Sequence, residues 1–413
     1  MFTGGQRTEL PAPLSRRGPR PLLLHLSLAV MRPGGFLSVL PSWNLGWQHL
    51  SGEKAGLQGA SPPDPETIRR AFETAALEDR ELVAGIAAYR RDSYMRSSDE
   101  PPVIWAEGES RLLDFGGLAG APEGRTALSG ITVFFVPSLI NRAYILDLMP
   151  EDSMLRWLSG QGVHPYLLDW GWPGEVERKF TFTDYIAGRL ERAIAAVPGP
   201  IVLAGYCMGG LLALAAGLRQ PEKIKALALL ATPWNFQAAD PKQAKTLSET
   251  LPILEPMMQF SGALPIDALQ TLFTMIDPFG VGEKYRSFAQ ADKTSPRARR
   301  FVAMEDWLAD GVPLAAPVAR EAIGGWYGAN TPAEGNWRVA GLAVDPAKYE
   351  RPVFCAIPGR DRLVPPESAR PLAAAFPNVT LVEPQTGHIG MVAGTNAREA
   401  LWRPFANWLL GLS

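Results

Sequence analysis

The sequence predicts an α/β protein: a mostly parallel sheet covered by helices on both faces, with a helical cap inserted late in the chain. Three observations carry this. Short runs that are apolar throughout alternate with helical patterns, as parallel strands buried on both faces require. At residues 200–219 an apolar run of strand length, a glycine-flanked turn and a Leu/Ala-rich helix follow one another directly. Finally, about 120 residues separate the run at 226–232 from the next at 352–358, far more than one crossover needs. A length of 413 residues accommodates one large α/β domain with such an insertion. The net charge of −2 provides no field that would draw nucleic acid or a polyanionic partner.

In chain order, residues 1–60 are rich in Gly, Pro and Ser and are expected to be loosely ordered. Within them Arg16, Arg17 and Arg20 precede PLLLHLSLAVM (21–31), which resembles an export signal. It is too short to span a bilayer and no A-x-A-like site follows, so initiation at Met31 fits equally well. A helix is predicted over 65–90, with Pro65 in its first turn, and VIWAEGESRLLDF (103–115) reads as two strands joined by a glycine turn. Strands follow at 131–137, 163–169, 200–206, 226–232, 352–358 and 378–383. The core is thus expected over 61–235 and 336–413, and the cap over 236–335. Met257, Met258, Phe260, Leu264, Phe273, Met275, Ile276 and Phe279 give that cap an adaptable apolar lining. Ligands in open α/β folds bind at the sheet edge such a cap would cover.

The chemistry is concentrated in LAGYCMGGLLAL (203–214). Gly205-Tyr206-Cys207-Met208-Gly209 is G-x-C-x-G, a nucleophile elbow with sulfur in place of the serine oxygen. The following helix points its N-terminal N–H groups at the sulfur, which favours a thiolate. The bland alternative is a buried cysteine packed as a small hydrophobe. A nucleophilic cysteine needs a base, and the chain offers four histidines. His25 and His49 precede the core, and His164 begins a strand, where packing is the simpler role. His388, in Thr386-Gly387-His388-Ile389-Gly390, directly follows the last strand. Asp361, in GRDRLVP (359–365), follows the strand before it and supplies the acid, although a plain turn aspartate would look the same. The order Cys207, Asp361, His388 is that of the α/β-hydrolase fold. Its oxyanion hole would take one N–H from Met208 and another from the loop after strand 131–137, at Leu139 or Ile140. Ser138 in that loop has no elbow around it. Two distant cysteines make no disulfide framework, and no Cys/His cluster has metal-ligand spacing. A cytoplasmic protein without metal or cofactor is expected.

From about residue 80 onward the chain resembles the polyhydroxyalkanoate synthases, nearest the shorter class that works with a second subunit. The matching stretches are LINRAYILDL (139–148), HPYLLDWGWP (164–173), GYCMGG (205–210), FVAMEDWLADGVP (301–313), PGRDRLVPP (358–366) and TGHIG (386–390). The resemblance implies a capped α/β-hydrolase core, a Cys207–Asp361–His388 triad, and polymerisation of 3-hydroxyacyl-CoA through a cysteine thioester. The CoA thioester is then substrate rather than cofactor. Asn141, Tyr144, Trp307 and Asp310 are implied as substrate contacts. A second synthase subunit or a homodimer, and association with polymer granules, are implied as assembly, with no nucleic acid and no transmembrane segment. A thioester keeps the acyl group activated, and a cap would shield it from water until a hydroxyl group arrives. A thioesterase, depolymerase or esterase with the same triad is the alternative. Dienelactone hydrolases share the G-x-C-x-G-G elbow but lack a cap of this size and the Asn-Arg-x-Tyr segment. A catalytically idle scaffold on the granule surface is the reading from another class.

Overall fold

The computed structural model describes residues 16, 18–31, 65–96, 99–118, 128–275 and 278–412. The expectation for residues 1–60 lies outside them except at 16 and 18–31, and His49, Ile276 and Asp277 lie outside as well. The described residues form two compact units, one from 1–94 and 277–309, the other from 95–276 and 310–413.

The first unit is helical. Helix α1 (Leu22–Met31) is the short apolar stretch that resembled an export signal, and α2 (Pro65–Arg91) carries the predicted helix to its basic last turn. Two further helices, Gly280–Gln290 and Pro296–Ala309, come from within the long insertion. Leu82, Ile86 and Tyr89 of α2 meet Tyr285, Phe288, Ala298 and Val302 in one core, with the Tyr89 and Tyr285 rings edge to face at 5.8 Å. Gly85 allows this approach, because a Cβ there would collide with the Tyr285 carbonyl. Arg16 donates to both carboxylate oxygens of Asp306, at 2.7 and 2.6 Å, and Tyr89 donates to the same group at 2.8 Å. The insertion expected as one cap over 236–335 is therefore shared between two units, and residues 65–94 pack with its 277–309 part. Amphipathic helices must bury one face, and these bury theirs against each other.

The second unit is built on eight strands: β1 (Val103–Glu107), β2 (Ser110–Asp114), β3 (Thr132–Val136), β4 (His164–Asp169), β5 (Ile201–Tyr206), β6 (Ile224–Leu230), β7 (Val353–Ala356) and β8 (Val379–Val382). All eight match the predicted runs. They order as β1-β2-β4-β3-β5-β6-β7-β8, antiparallel as far as β4 and parallel from there on. Both faces are covered. Phe134, Val136, Leu203 and Leu227 share a core with helix α3 (Met208–Arg219), while the alternating Phe135 and Phe354 meet Phe405 of a C-terminal helix at 6.3 and 5.5 Å. In register, Val136 pairs with Gly205, Tyr206 with Leu230, and Leu230 with Ala356. The parallel strands thus end together, and the residues that follow each of them line one edge. Between β6 and β7 this unit adds α4 (Pro241–Glu249), α5 (Leu251–Ser261), α6 (Ile266–Thr274) and a π-helix at Glu321–Gly328. Among the described residues no helix is long and apolar enough to cross a membrane.

Candidate active site

The sheet edge gathers Cys207, Asp361 and His388. Cys207 joins β5 to α3 at φ 56° and ψ −129°, a left-handed conformation that costs a residue with a Cβ on the order of 1–3 kcal/mol. Two backbone bonds hold it there: Cys207 N–H donates to the Leu230 carbonyl at 2.8 Å, and the Cys207 carbonyl accepts from Gly210 at 2.9 Å. The glycines of the motif make the turn sterically open. A Cβ at Gly205 would strike Gly210, and one at Gly209 would strike the carbonyls of Val136 and Pro137. The thiol is half-buried at the start of α3.

Asp361 is fixed before it meets any histidine. Its Oδ1 accepts from the backbone N–H groups of Leu363 and Val364, both at 2.9 Å, leaving Oδ2 for His388 Nδ1 at 2.6 Å. His388 opens a short helix, His388–Ala393, directly after the β8 loop, and both side chains are buried. Burial alone would push the imidazole down. The negative charge of the Cys207 sulfur, the Asp361 hydrogen bond and the Asp361 charge outweigh it and hold His388 at about 10. Cys207 also hydrogen-bonds the His388 side chain, and with Nδ1 committed to Asp361 the remaining nitrogen is Nε2. Tyr206 packs its ring 5.1 Å from the imidazole and donates its hydroxyl to the His388 carbonyl at 3.3 Å.

The N–H groups beside the thiol differ in availability. Those of Met208 and Leu139 have no hydrogen-bond partner among the described residues, whereas Ile140 N–H donates to Ser138 Oγ at 3.2 Å. Of the two loop amides considered, Leu139 is the open one.

Residues of the Asn-Arg-x-Tyr and Asp-Trp-Gly segments brace that loop. Asp169 accepts from Arg142 at 3.2 Å and from Arg111 at 3.0 Å, and Trp170 Nε1 donates to the Pro137 carbonyl at 3.0 Å. Trp170→Phe keeps an aromatic ring but leaves a buried carbonyl unpaired, which costs about 1–3 kcal/mol. The expected result is a kcat lower by about 3- to 10-fold through a loosened loop, read by steady-state kinetics.

The substrate contacts implied by resemblance are placed as follows. Tyr144 donates its hydroxyl to Asp310, whose carboxyl is raised by burial despite this bond and the Arg142 charge. The Arg96 guanidinium lies over the Tyr144 ring at 4.5 Å. Asn141 forms a bridge with Gly311, and its Oδ1 is buried without a hydrogen-bond partner. Trp307 is a buried member of the first unit. His164 packs as expected, its ring stacked on Tyr166 at 4.5 Å, and its Nε2 also lies 2.7 Å from Asp114 Oδ1. His25 lies in α1, its Nε2 3.1 Å from the Arg20 carbonyl.

One functional candidate escaped the sequence reading. Tyr327, on the π-helix, lines a cavity of about 70 Å³ together with Phe236, Leu247, Leu272, Leu363 and Val364. Nothing in GGWYGAN (324–330) marks it, since the stretch reads as a glycine-broken turn.

Comparison with known proteins shows the family of the chain and its relatives. A family model described as "Alpha/beta hydrolase family" matches residues 133–401. The chain is 28% identical over 351 residues to the poly(3-hydroxyalkanoate) polymerase subunit PhaC of Haloferax mediterranei, covering 82% of this chain and 70% of that one. The protein of the same name from Allochromatium vinosum is 27% identical over 296 residues, 70% of this chain and 83% of its own. That from Synechocystis sp. is 27% identical over 292 residues, 68% and 77% respectively.

Proposed function

The chain belongs to the alpha/beta hydrolase family, and on that premise we propose that it is an acyltransferase of the poly(3-hydroxyalkanoate) synthase type. It polymerises 3-hydroxyacyl-CoA through a thioester on Cys207 and releases CoA. The observation that carries this reading is a thiol, not a hydroxyl, at a strained elbow whose histidine is already held by Asp361 at 2.6 Å. The similarity to poly(3-hydroxyalkanoate) polymerase subunits supports the substrate class.

The electrostatics of His388 organise the two half-reactions. His388, which hydrogen-bonds Cys207, takes the thiol proton and leaves the sulfur as the nucleophile. The sulfur attacks the thioester carbonyl, and the developing oxyanion takes the N–H groups of Met208 and Leu139. The bond to the CoA sulfur breaks, and His388 gives that sulfur its proton. Acylation removes the charge on Cys207, which is the largest support His388 has against burial. The imidazole is then a neutral base. It takes the proton of an acceptor hydroxyl, the oxygen attacks the acyl carbon, and the electron pair of the breaking C–S bond returns to Cys207.

Purified protein with 3-hydroxybutyryl-CoA tests the reading. CoA release with accumulation of polymer is the expected result. Free 3-hydroxybutyrate appearing in step with CoA would make the protein a thioesterase on the same fold and triad.

A further inference from the structure

Tyr327 is a fixed side chain without a role in the chemistry so far. Its ring stands nearly perpendicular to Phe236 at 4.9 Å, and Gln237 Nε2 donates to the carbonyls of Tyr327 and Gly328 at 3.2 and 2.8 Å. The π-helix that carries it, Glu321–Gly328, is one of three among the described residues and has a geometry frequent at functional sites. The cavity it lines is also lined by Leu363 and Val364, whose N–H groups anchor Asp361, so cavity and Asp361–His388 pair share one loop. Burial first, and the charge at Cys207 second, push the phenol up to about 12, so it remains a neutral hydrogen-bond donor at neutral pH.

The reacting atoms at Cys207 show where a further donor is needed. The carbonyl oxygen has the Met208 and Leu139 amides, and the sulfur has His388. What remains is the atom that departs in the first half-reaction and the atom that arrives in the second, which by microscopic reversibility occupy one position. The first is the CoA sulfur, a weak acceptor; the second is a hydroxyl oxygen, a strong one. We infer that Tyr327 binds the acceptor, its O–H donating to the oxygen of the incoming hydroxyl group and selecting that oxygen as the second substrate. The step balances without an outside reagent. The acceptor O–H bond breaks and its proton goes to His388 Nε2. The oxygen bonds the acyl carbon, the C–S bond breaks with its electron pair left on Cys207, and Tyr327 keeps its proton throughout. The inference rests on the acyl-transfer reading above.

Sulfur and oxygen acceptors separate the two. Tyr327→Phe keeps the ring against Phe236, so the fold is preserved. Exchange of labelled CoA into butyryl-CoA, which replaces sulfur by sulfur, should stay within about 2-fold of wild type. Turnover of 3-hydroxybutyryl-CoA should fall about 10- to 100-fold, as when a group built to bind a hydroxyl is removed. Unchanged turnover, a parallel fall in both rates, or a fall in exchange alone would overturn the inference. If wild type yields free acid, the polymerase reading fails by itself. The ratio of exchange to hydrolysis in the two proteins then still decides whether Tyr327 binds the oxygen acceptor.

Discussion

Cys207→Ala should lower turnover by about three or more orders of magnitude while leaving the protein folded. Alanine has the same Cβ at φ 56°, so the backbone strain is unchanged, and the bonds to Leu230 and Gly210 involve only main chain. What disappears is the sulfur on which the proposed acyl intermediate forms. Cys355 is the internal control. It lies mid-strand in β7, 3% exposed, and burial pushes its thiol up to about 12, so no thiolate forms there near neutral pH. Cys355→Ala should cost about 1 kcal/mol in stability from the small void and keep its activity. Intact-mass spectrometry after incubation with 3-hydroxybutyryl-CoA should find the acyl adduct on wild type and on the Cys355 variant, and none on the Cys207 variant. Equal loss of activity from both substitutions would remove Cys207 from its role.

The site residues that were legible in the sequence are those whose position is dictated by the end of a strand. Gly205 and Gly209 flank Cys207 because backbone atoms of α3 and β3 occupy the space a Cβ would need, and that constraint leaves a readable spacing. Asp361 was found because it follows a fully buried apolar strand, and His388 because it follows the last strand-length run of the chain. What was not legible depends on contacts between distant segments. The hydrophobic faces of 280–290 and 296–309 announce that something covers them but not that α2 does. Trp170 looks like one more core aromatic until its indole is seen on the Pro137 carbonyl. Ile140 and Leu139 are equivalent as sequence, and only the Ser138 hydroxyl tells their amides apart. His164 packs on Tyr166 as a strand-initial histidine should, but nothing in the sequence announces that Asp114 meets its Nε2. Tyr327 is the extreme case, because π-helical turns have no sequence period of their own and glycines on both sides disguise this one.

Asp361→Asn should lower turnover by about two to four orders of magnitude and should also change how the protein responds to pH. The two effects have one origin. In wild type, Asp361 accepts from His388 Nδ1, which directs Nε2 toward Cys207. An asparagine can offer its NH₂ group to Nδ1 instead, placing the ring proton on Nε2 and leaving no base for the acceptor hydroxyl. The same substitution removes a negative charge and a hydrogen bond that help hold His388 at about 10 against burial. The basic limb of kcat/KM, near pH 10 in wild type, should therefore move down toward or below the ordinary histidine value of about 6.5. Stability must follow the same sign. A histidine raised in the folded state contributes stability that is complete below about pH 6.5 and is lost as pH climbs through the folded value near 10. Urea midpoints of wild type should thus fall across that window, and those of Asp361→Asn should lose most of the fall. The imidazole can be followed directly by NMR in both proteins, since the chain has only four histidines to assign. A variant with the wild-type rate, or with an imidazole still titrating near 10, would show that Asp361 neither orients nor charges His388.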